Sequence, residues 1–129
     1  MLTPVPPGPA VVACSTCRNA GSETRGGARL AEALRAVKAS DDRYDGVQVQ
    51  TMPCLFACGE HCTVHLRAPG KISYVLGRFE PDEDAARAIL DYAVHYAASD
   101  AGQVRYADWP AGVKGHFITR SPPDGFVAE

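Results

Sequence analysis

The chain has 129 residues, of which 46 % are apolar, so it is long enough for one domain with a single packed core. Its formal net charge is −2 and its thirteen lysines and arginines are dispersed, which argues against the basic patch that nucleic-acid binding needs. No stretch approaches the length of a transmembrane helix, and the first residues lack the pattern of a signal peptide. We therefore expect a soluble, cytoplasmic protein with no nucleic-acid or membrane partner.

The chain begins with a lead-in that is rich in proline and is followed by a short apolar segment. Four prolines in residues 1–9 predict a flexible, extended lead-in, because proline at this density is incompatible with a helix. Residues 10–13 are continuously apolar and include β-branched side chains, which predicts a buried strand that ends at Cys14.

A helix and a second strand are predicted next. Leu30, Leu34 and Val37 recur at helical spacing, with charged side chains between them. This pattern predicts an amphipathic helix that ends near Ser40. Residues 47–52 alternate apolar with polar side chains, as in a half-buried strand.

The next elements are a hairpin and a second helix. Residues 63–67 and 71–76 predict two strands joined by a tight turn at 68–70, where proline is followed by glycine. Pro81 is expected to open a helix, because the first helical position does not need an N–H group. Gly102 is the expected stop of this helix.

The order strand, helix, strand, strand, strand, helix predicts an α/β, thioredoxin-like fold. Its β-α-β-β-β-α core with a mixed sheet would occupy residues 10–102. The first two strands are joined by a helix and are expected to be parallel, with a right-handed crossover. Residues 103–129 lack clear periodicity but contain large apolar side chains, so we expect an extended C-terminal tail that packs on the core or on a partner subunit.

The five cysteines fall into two groups. Cys14 and Cys17 are separated by two residues, whereas Cys54, Cys58 and Cys62 are separated by three each. Since parallel strands end at one edge of a sheet, both groups are expected to meet there. Thiolates that converge from two loops are typical of a metal ion or an iron–sulfur cluster. The odd number of cysteines and the absence of an export signal argue against a disulfide framework.

Three kinds of chemistry fit these cysteines. Two close pairs, Cys14 with Cys17 and Cys54 with Cys58, suit a 2Fe-2S cluster. A zinc ion also takes four thiolates, so a protein that handles zinc or cobalt stays an alternative. Thiol–disulfide exchange by Cys14 and Cys17 is a third hypothesis. No catalytic triad, phosphate-binding glycine loop or dinucleotide fingerprint is visible, so we expect an electron-transfer protein rather than an enzyme.

Four segments, residues 12–18, 54–62, 69–77 and 106–110, resemble the DUF1636 family of predicted metal-binding, ferredoxin-like proteins. Residues 54–59, placed before a hairpin, also resemble the second ligand pair of thioredoxin-like 2Fe-2S ferredoxins. The resemblance implies a thioredoxin-like fold and a four-cysteine 2Fe-2S cluster. It further implies one-electron transfer between redox partner proteins, a reductase and an acceptor enzyme, often by a homodimer.

The ligands that the resemblance implies are Cys14, Cys17, Cys54 and Cys58. The spacer after the first of these is shorter here than in the thioredoxin-like ferredoxins. Cys62 is therefore an alternative to Cys17, and otherwise a fifth thiol close to the site.

Charged side chains could assist such a site. Arg18, Arg67 and Lys71 are candidates to lie beside the cluster and offset its negative charge, although most charged side chains are ordinary surface groups. Acidic side chains in residues 80–84 suit either the docking of a basic redox partner or, better, the N-terminus of a helix.

Overall fold

The computed structural model describes residues 2–16, 26–55 and 60–128. The main elements, in chain order, are strand β1 (Ala10–Cys14), helix α1 (Gly26–Ser40), strands β2 (Gln48–Met52), β3 (Val64–Arg67) and β4 (Ser73–Leu76), helix α2 (Glu83–Ala98) and strand β5 (Phe117–Ser121). Short 3-10 helices lie at Asp42–Tyr44, Tyr106–Asp108 and Ala111–Val113. Across the described ranges, no helix has the length and apolar character needed to cross a membrane.

The strands form one mixed sheet in the order β2-β1-β3-β4-β5. β1 and β2 are parallel, and the other neighbouring pairs are antiparallel. Two parallel strands must be joined by a long crossover connection, and α1 lies in the connection between β1 and β2. The antiparallel strands β3 and β4 need only a tight turn between them. The predicted β-α-β-β-β-α core and its mixed sheet are confirmed.

The fifth strand is an element that the sequence analysis did not identify. β5 pairs with β4, so that Phe117 lies opposite Leu76 and Ser121 lies opposite Ser73. Its first two side chains are only partly buried and the other three are exposed. Burial does not alternate along β5. Its sequence correspondingly lacks the alternation of apolar and polar side chains that marks a half-buried strand. The division into a lead-in, a domain and a C-terminal extension stays a prediction.

Both helices pack on one face of the sheet. Val11 and Ala13 of β1, and Val64 and Leu66 of β3, alternate along their strands and join the same apolar core as the helices. The helices contribute the buried side chains Leu30, Ala31, Leu34 and Val37 of α1 and Ala86, Ile89, Leu90, Ala93 and Tyr96 of α2. The amphipathic face predicted for the first helix is therefore confirmed, and α2 also has an apolar face that joins the core.

Helix α2 begins later than the sequence predicted. Asp82, not Pro81, marks its start: the Asp82 carboxylate accepts a hydrogen bond from the Ala85 N–H at 2.9 Å, and the first helical residue is Glu83. A side-chain acceptor at the N-cap satisfies an N–H that has no partner within the helix. This contact gives one of the acidic residues near the helix start a structural role.

Two buried tyrosines of α2 differ in the environment of their hydroxyl groups. The Tyr96 hydroxyl donates a hydrogen bond to the Ile72 carbonyl at 2.6 Å. The Tyr92 hydroxyl is also buried, but among the described residues it has no hydrogen-bond partner. The two side chains lie one helical turn apart on the same helix. Removing each hydroxyl in turn therefore measures what the hydrogen bond of Tyr96 contributes to stability.

We expect Tyr96→Phe to lower the free energy of unfolding by about 1–2 kcal/mol, because a buried hydrogen bond is lost. Tyr92→Phe removes a buried hydroxyl without such a bond and is expected to change the free energy of unfolding by less than about 1 kcal/mol, in the stabilising direction. Urea unfolding followed by circular dichroism measures both variants. Equal losses in the two variants would contradict this assignment.

Candidate metal centre

Three cysteines lie at one end of the sheet. Cys14 ends β1 opposite Met52, the last residue of β2. Its backbone N–H donates to the Thr63 carbonyl at 3.0 Å, at the entrance to β3. Cys54 follows β2 by two residues and Cys62 directly precedes Thr63. The strand pairing therefore brings Cys14, from the first group, close to the chain at Cys54 and at Cys62, which belong to the second group.

Cys17 and Cys58 lie outside the described residues. Within residues 2–16, 26–55 and 60–128, no three His, Cys, Asp or Glu side chains are grouped as ligands of one metal ion. Cys14 and Cys54 nevertheless offer one soft sulfur donor from each group, which is the donor chemistry that a 2Fe-2S cluster or a zinc ion uses. The complete ligand set stays a prediction.

The cysteines differ in burial. Cys54 is partly exposed, whereas Cys14 and Cys62 are 1 % and 0 % exposed. Of these three, Cys62 alone belongs to the main apolar core, together with the buried side chains of the helices. A thiol in such surroundings packs as a small apolar group.

Thr16 contacts both cysteine groups. Its hydroxyl oxygen accepts a hydrogen bond from the Cys54 backbone N–H at 3.1 Å. The same oxygen lies 3.6 Å from the Cys14 sulfur, within hydrogen-bonding distance for sulfur. One hydroxyl group therefore connects the loop after β1 with the loop after β2.

The backbone is unusual at this end of the sheet. Among the described non-glycine residues, positive φ angles occur at Cys54 (56°), Cys62 (48°) and Arg78 (64°). Such conformations are costly for residues with a Cβ and persist where surrounding contacts impose them. Cys54 and Cys62 lie in the connection between β2 and β3, which is called the second cysteine loop, and Arg78 lies against its described end, so tertiary contacts impose these three conformations.

Arg78 supplies several of those contacts. Its backbone N–H lies 2.8 Å from both the Glu60 and the His61 carbonyl oxygens. Its guanidinium forms a salt bridge with the Glu60 carboxylate at 3.1 Å and donates to the Gly115 carbonyl at 2.8 Å. Arg78 thus links the end of the second cysteine loop to β4 and to the segment before β5.

Two expected cations lie elsewhere. Because β3 runs antiparallel to β1, Arg67 lies opposite Ala10, at the end of the sheet away from Cys14. Lys71 lies in the turn that follows β3, at that same far end, so the expectation that these two side chains flank the cysteines is wrong. Arg18 lies outside the described residues. The sequence analysis missed Arg78, although the return of β4 towards the cysteine end could have indicated it.

Two histidines near the cysteines have different roles. His61 contributes its backbone carbonyl to the contact with Arg78. His65 lies on β3 opposite Val12, where burial, with a smaller effect of the Arg67 charge, lowers its pKa. His65 is therefore neutral at pH 7.

Gly77 allows β4 to pass close to the second cysteine loop. A Cβ atom at this position would lie 2.8 Å from the Glu60 carbonyl oxygen. It would also lie 2.7 Å from Cδ1 of Ile118 and 3.0 Å from Cγ2 of Thr63. Since the Glu60 oxygen belongs to the backbone, it cannot rotate away.

We expect Gly77→Ala to lower the free energy of unfolding by about 1–3 kcal/mol, because the added Cβ overpacks this region. The same substitution is expected to displace the second cysteine loop and so to reduce metal content. Gly46→Ala is the matched control, because a Cβ there would meet no atom within 4 Å. This control is expected to be neutral or to stabilise by up to about 1 kcal/mol. Urea unfolding and metal analysis test both variants, and a Gly77→Ala protein as stable as the control would refute the close-packing argument.

A protein-family model matches most of the chain. The model of the family described as "Protein of unknown function (DUF1636)" matches residues 11–123. A search of curated proteins found no match.

Two solved structures share the fold. One is a thioredoxin-like [2Fe-2S] ferredoxin from Aquifex aeolicus, 16 % identical, with a TM-score of 0.60 over 95 % of this chain and 100 % of the other. The second, a wild-type thioredoxin-like [2Fe-2S] ferredoxin from Aquifex aeolicus, is 18 % identical, with a TM-score of 0.52 over 68 % of this chain and 87 % of the other. At these identities the likeness shows the fold, which is thioredoxin-like as predicted.

Proposed function

The chain belongs to the DUF1636 family, and we propose that it is a 2Fe-2S ferredoxin, which carries one electron between a reductase and an acceptor enzyme. The observation that carries the proposal is the position of Cys14 and Cys54. They leave two parallel strands at one end of the sheet and flank the same Thr16 hydroxyl. The fold is one that thioredoxin-like [2Fe-2S] ferredoxins also have.

The proposed ligands are Cys14, Cys17, Cys54 and Cys58. Two of these, Cys14 and Cys54, come from different loops, which suits the ligation of two iron atoms by two pairs of thiolates. Cys62 is proposed as a fifth thiol that does not bind iron. Its membership of the apolar core supports this assignment, because a thiol buried among apolar side chains contributes to packing.

A bound 2Fe-2S cluster would supply the one-electron chemistry, so the chain itself needs to hold thiolates and control their surroundings. The burial of Cys14 limits the access of water to its sulfur, and solvent access is one determinant of the reduction potential. The same burial weighs against thiol–disulfide exchange, since a nucleophilic thiol must be reachable by its substrate.

The proposed setting is the cytoplasm, where a reducing environment keeps thiols available for iron. The proposed partners are redox proteins. Because the family resemblance implies a homodimer, a dimer is also proposed. Light scattering with in-line size-exclusion chromatography would measure the oligomeric state directly.

Protein purified without oxygen is expected to be coloured and to contain about two irons and about two acid-labile sulfides per chain. Reduction with dithionite is expected to produce the low-temperature EPR signal of a one-electron-reduced cluster. Iron and sulfide assays, the visible spectrum and EPR check these results. Colourless protein with stoichiometric zinc would contradict the ferredoxin proposal and favour a zinc-binding protein.

Single Cys→Ser variants test the ligand set. We expect the substitution to abolish the visible cluster absorption at Cys14, Cys17, Cys54 and Cys58 and to preserve it at Cys62. A serine at Cys62 buries a hydroxyl, which costs about 1–3 kcal/mol of stability, so Cys62→Ala is made as a second control. Retention of the cluster in Cys17→Ser together with its loss in Cys62→Ala would make Cys62 the fourth ligand instead.

A further inference from the structure

We propose that Thr16 is a positioning residue that clamps the two cysteine loops together and, through its hydroxyl, raises the reduction potential of the site. The clamp follows from the contacts of Thr16 alone. The effect on the reduction potential rests on the proposed function. Thr16 lies in the spacer between Cys14 and Cys17, a position that the resemblance to ferredoxins leaves without a role.

The first step concerns the hydrogen-bonding capacity of a hydroxyl group. A threonine hydroxyl has one proton to donate and two lone pairs that accept. A hydroxyl that accepts a hydrogen bond can also donate its own proton, and the Thr16 oxygen accepts from the Cys54 N–H at 3.1 Å. The Cys14 sulfur lies 3.6 Å from the same oxygen. A thiolate accepts hydrogen bonds more strongly than a thiol, so this contact strengthens when Cys14 is ionised.

The second step concerns the backbone of Cys54. Its φ angle of 56° is unfavourable for a residue with a side chain. The hydrogen bond to Thr16 helps to hold the Cys54 peptide in this orientation. Because Cys54 begins the second cysteine loop, its backbone direction determines where that loop starts relative to Cys14. Thr16 therefore helps to set the position of Cys54 relative to Cys14.

The third step concerns the electron. Reduction adds negative charge to the cluster and its thiolates, and hydrogen bonds to the sulfurs stabilise that charge. A hydroxyl donor at Cys14 is thus expected to make the reduction potential less negative. Thr16→Val keeps the shape of the side chain and removes both hydrogen bonds, whereas Thr16→Ser keeps the hydroxyl. Ser15→Ala is a control in the same spacer, because the structure records no side-chain hydrogen bond of Ser15 with another described residue.

The clamp is tested by hydrogen–deuterium exchange of the Cys54 amide, measured by mass spectrometry with residue-level fragmentation on the full-length protein as purified. We expect exchange about tenfold faster in Thr16→Val, which corresponds to the loss of a hydrogen bond worth about 1.4 kcal/mol. Thr16→Ser and Ser15→Ala are expected to exchange like the unmodified protein. Unchanged exchange in Thr16→Val would overturn the clamp. If Thr16→Val fails to fold, Thr16→Ala is measured with the same expectation.

The tuning is tested by spectroelectrochemical titration of the iron-loaded variants. Thr16→Val is expected to have a more negative midpoint potential, and Thr16→Ser is expected to restore it. Equal potentials in Thr16→Val and the unmodified protein would refute the tuning. If the unmodified protein binds zinc and no cluster, the proposed function and the tuning fail together, while the exchange experiment still decides whether Thr16 is a clamp.

Discussion

The parallel pairing of β1 with β2 is the constraint on which the site depends. Its register places Cys14 beside Met52, so the chain leaves both strands at the same end of the sheet. Because β3 is antiparallel to β1, it must begin at that end, and Thr63 accepts the hydrogen bond of the Cys14 N–H. The last residues of β1 and β2 and the start of β3 therefore meet at one end of the sheet. The loops there can hold a common group while the sheet behind them stays rigid.

Contacts from two directions then shape the second cysteine loop. On one side, the Thr16 hydroxyl binds the backbone at the start of the loop, where Cys54 has a left-handed conformation. On the other side, Arg78 binds backbone and side-chain oxygens at its end, and Gly77 allows the close approach. An unfavourable backbone conformation persists when surrounding contacts impose it. The hydrogen bonds of Thr16 and Arg78 are two such contacts.

The described cysteines differ in their surroundings. Cys62 belongs to the apolar core together with buried side chains of both helices, whereas Cys14 and Cys54 lie where two loops meet at the Thr16 hydroxyl. Packing and ligand binding make different demands, since a core thiol needs close apolar neighbours and a ligand needs a sulfur that can ionise. These surroundings support the different roles proposed for Cys54 and Cys62.

The sequence by itself determined the elements that depend on local patterns: the two helices, the apolar first strand and the hairpin. It also determined that Cys14, Cys54 and Cys62 lie at one end of the sheet, because the direction of parallel strands follows from their order. Only the tertiary structure decided that residues 117–121 form a fifth strand and that Arg78, not Arg67, lies near the cysteines. These features depend on contacts between segments far apart in the chain, which leave no periodic signal in the sequence. The burial of Cys62 has the same origin, since its neighbours come from elements that meet only when the chain folds.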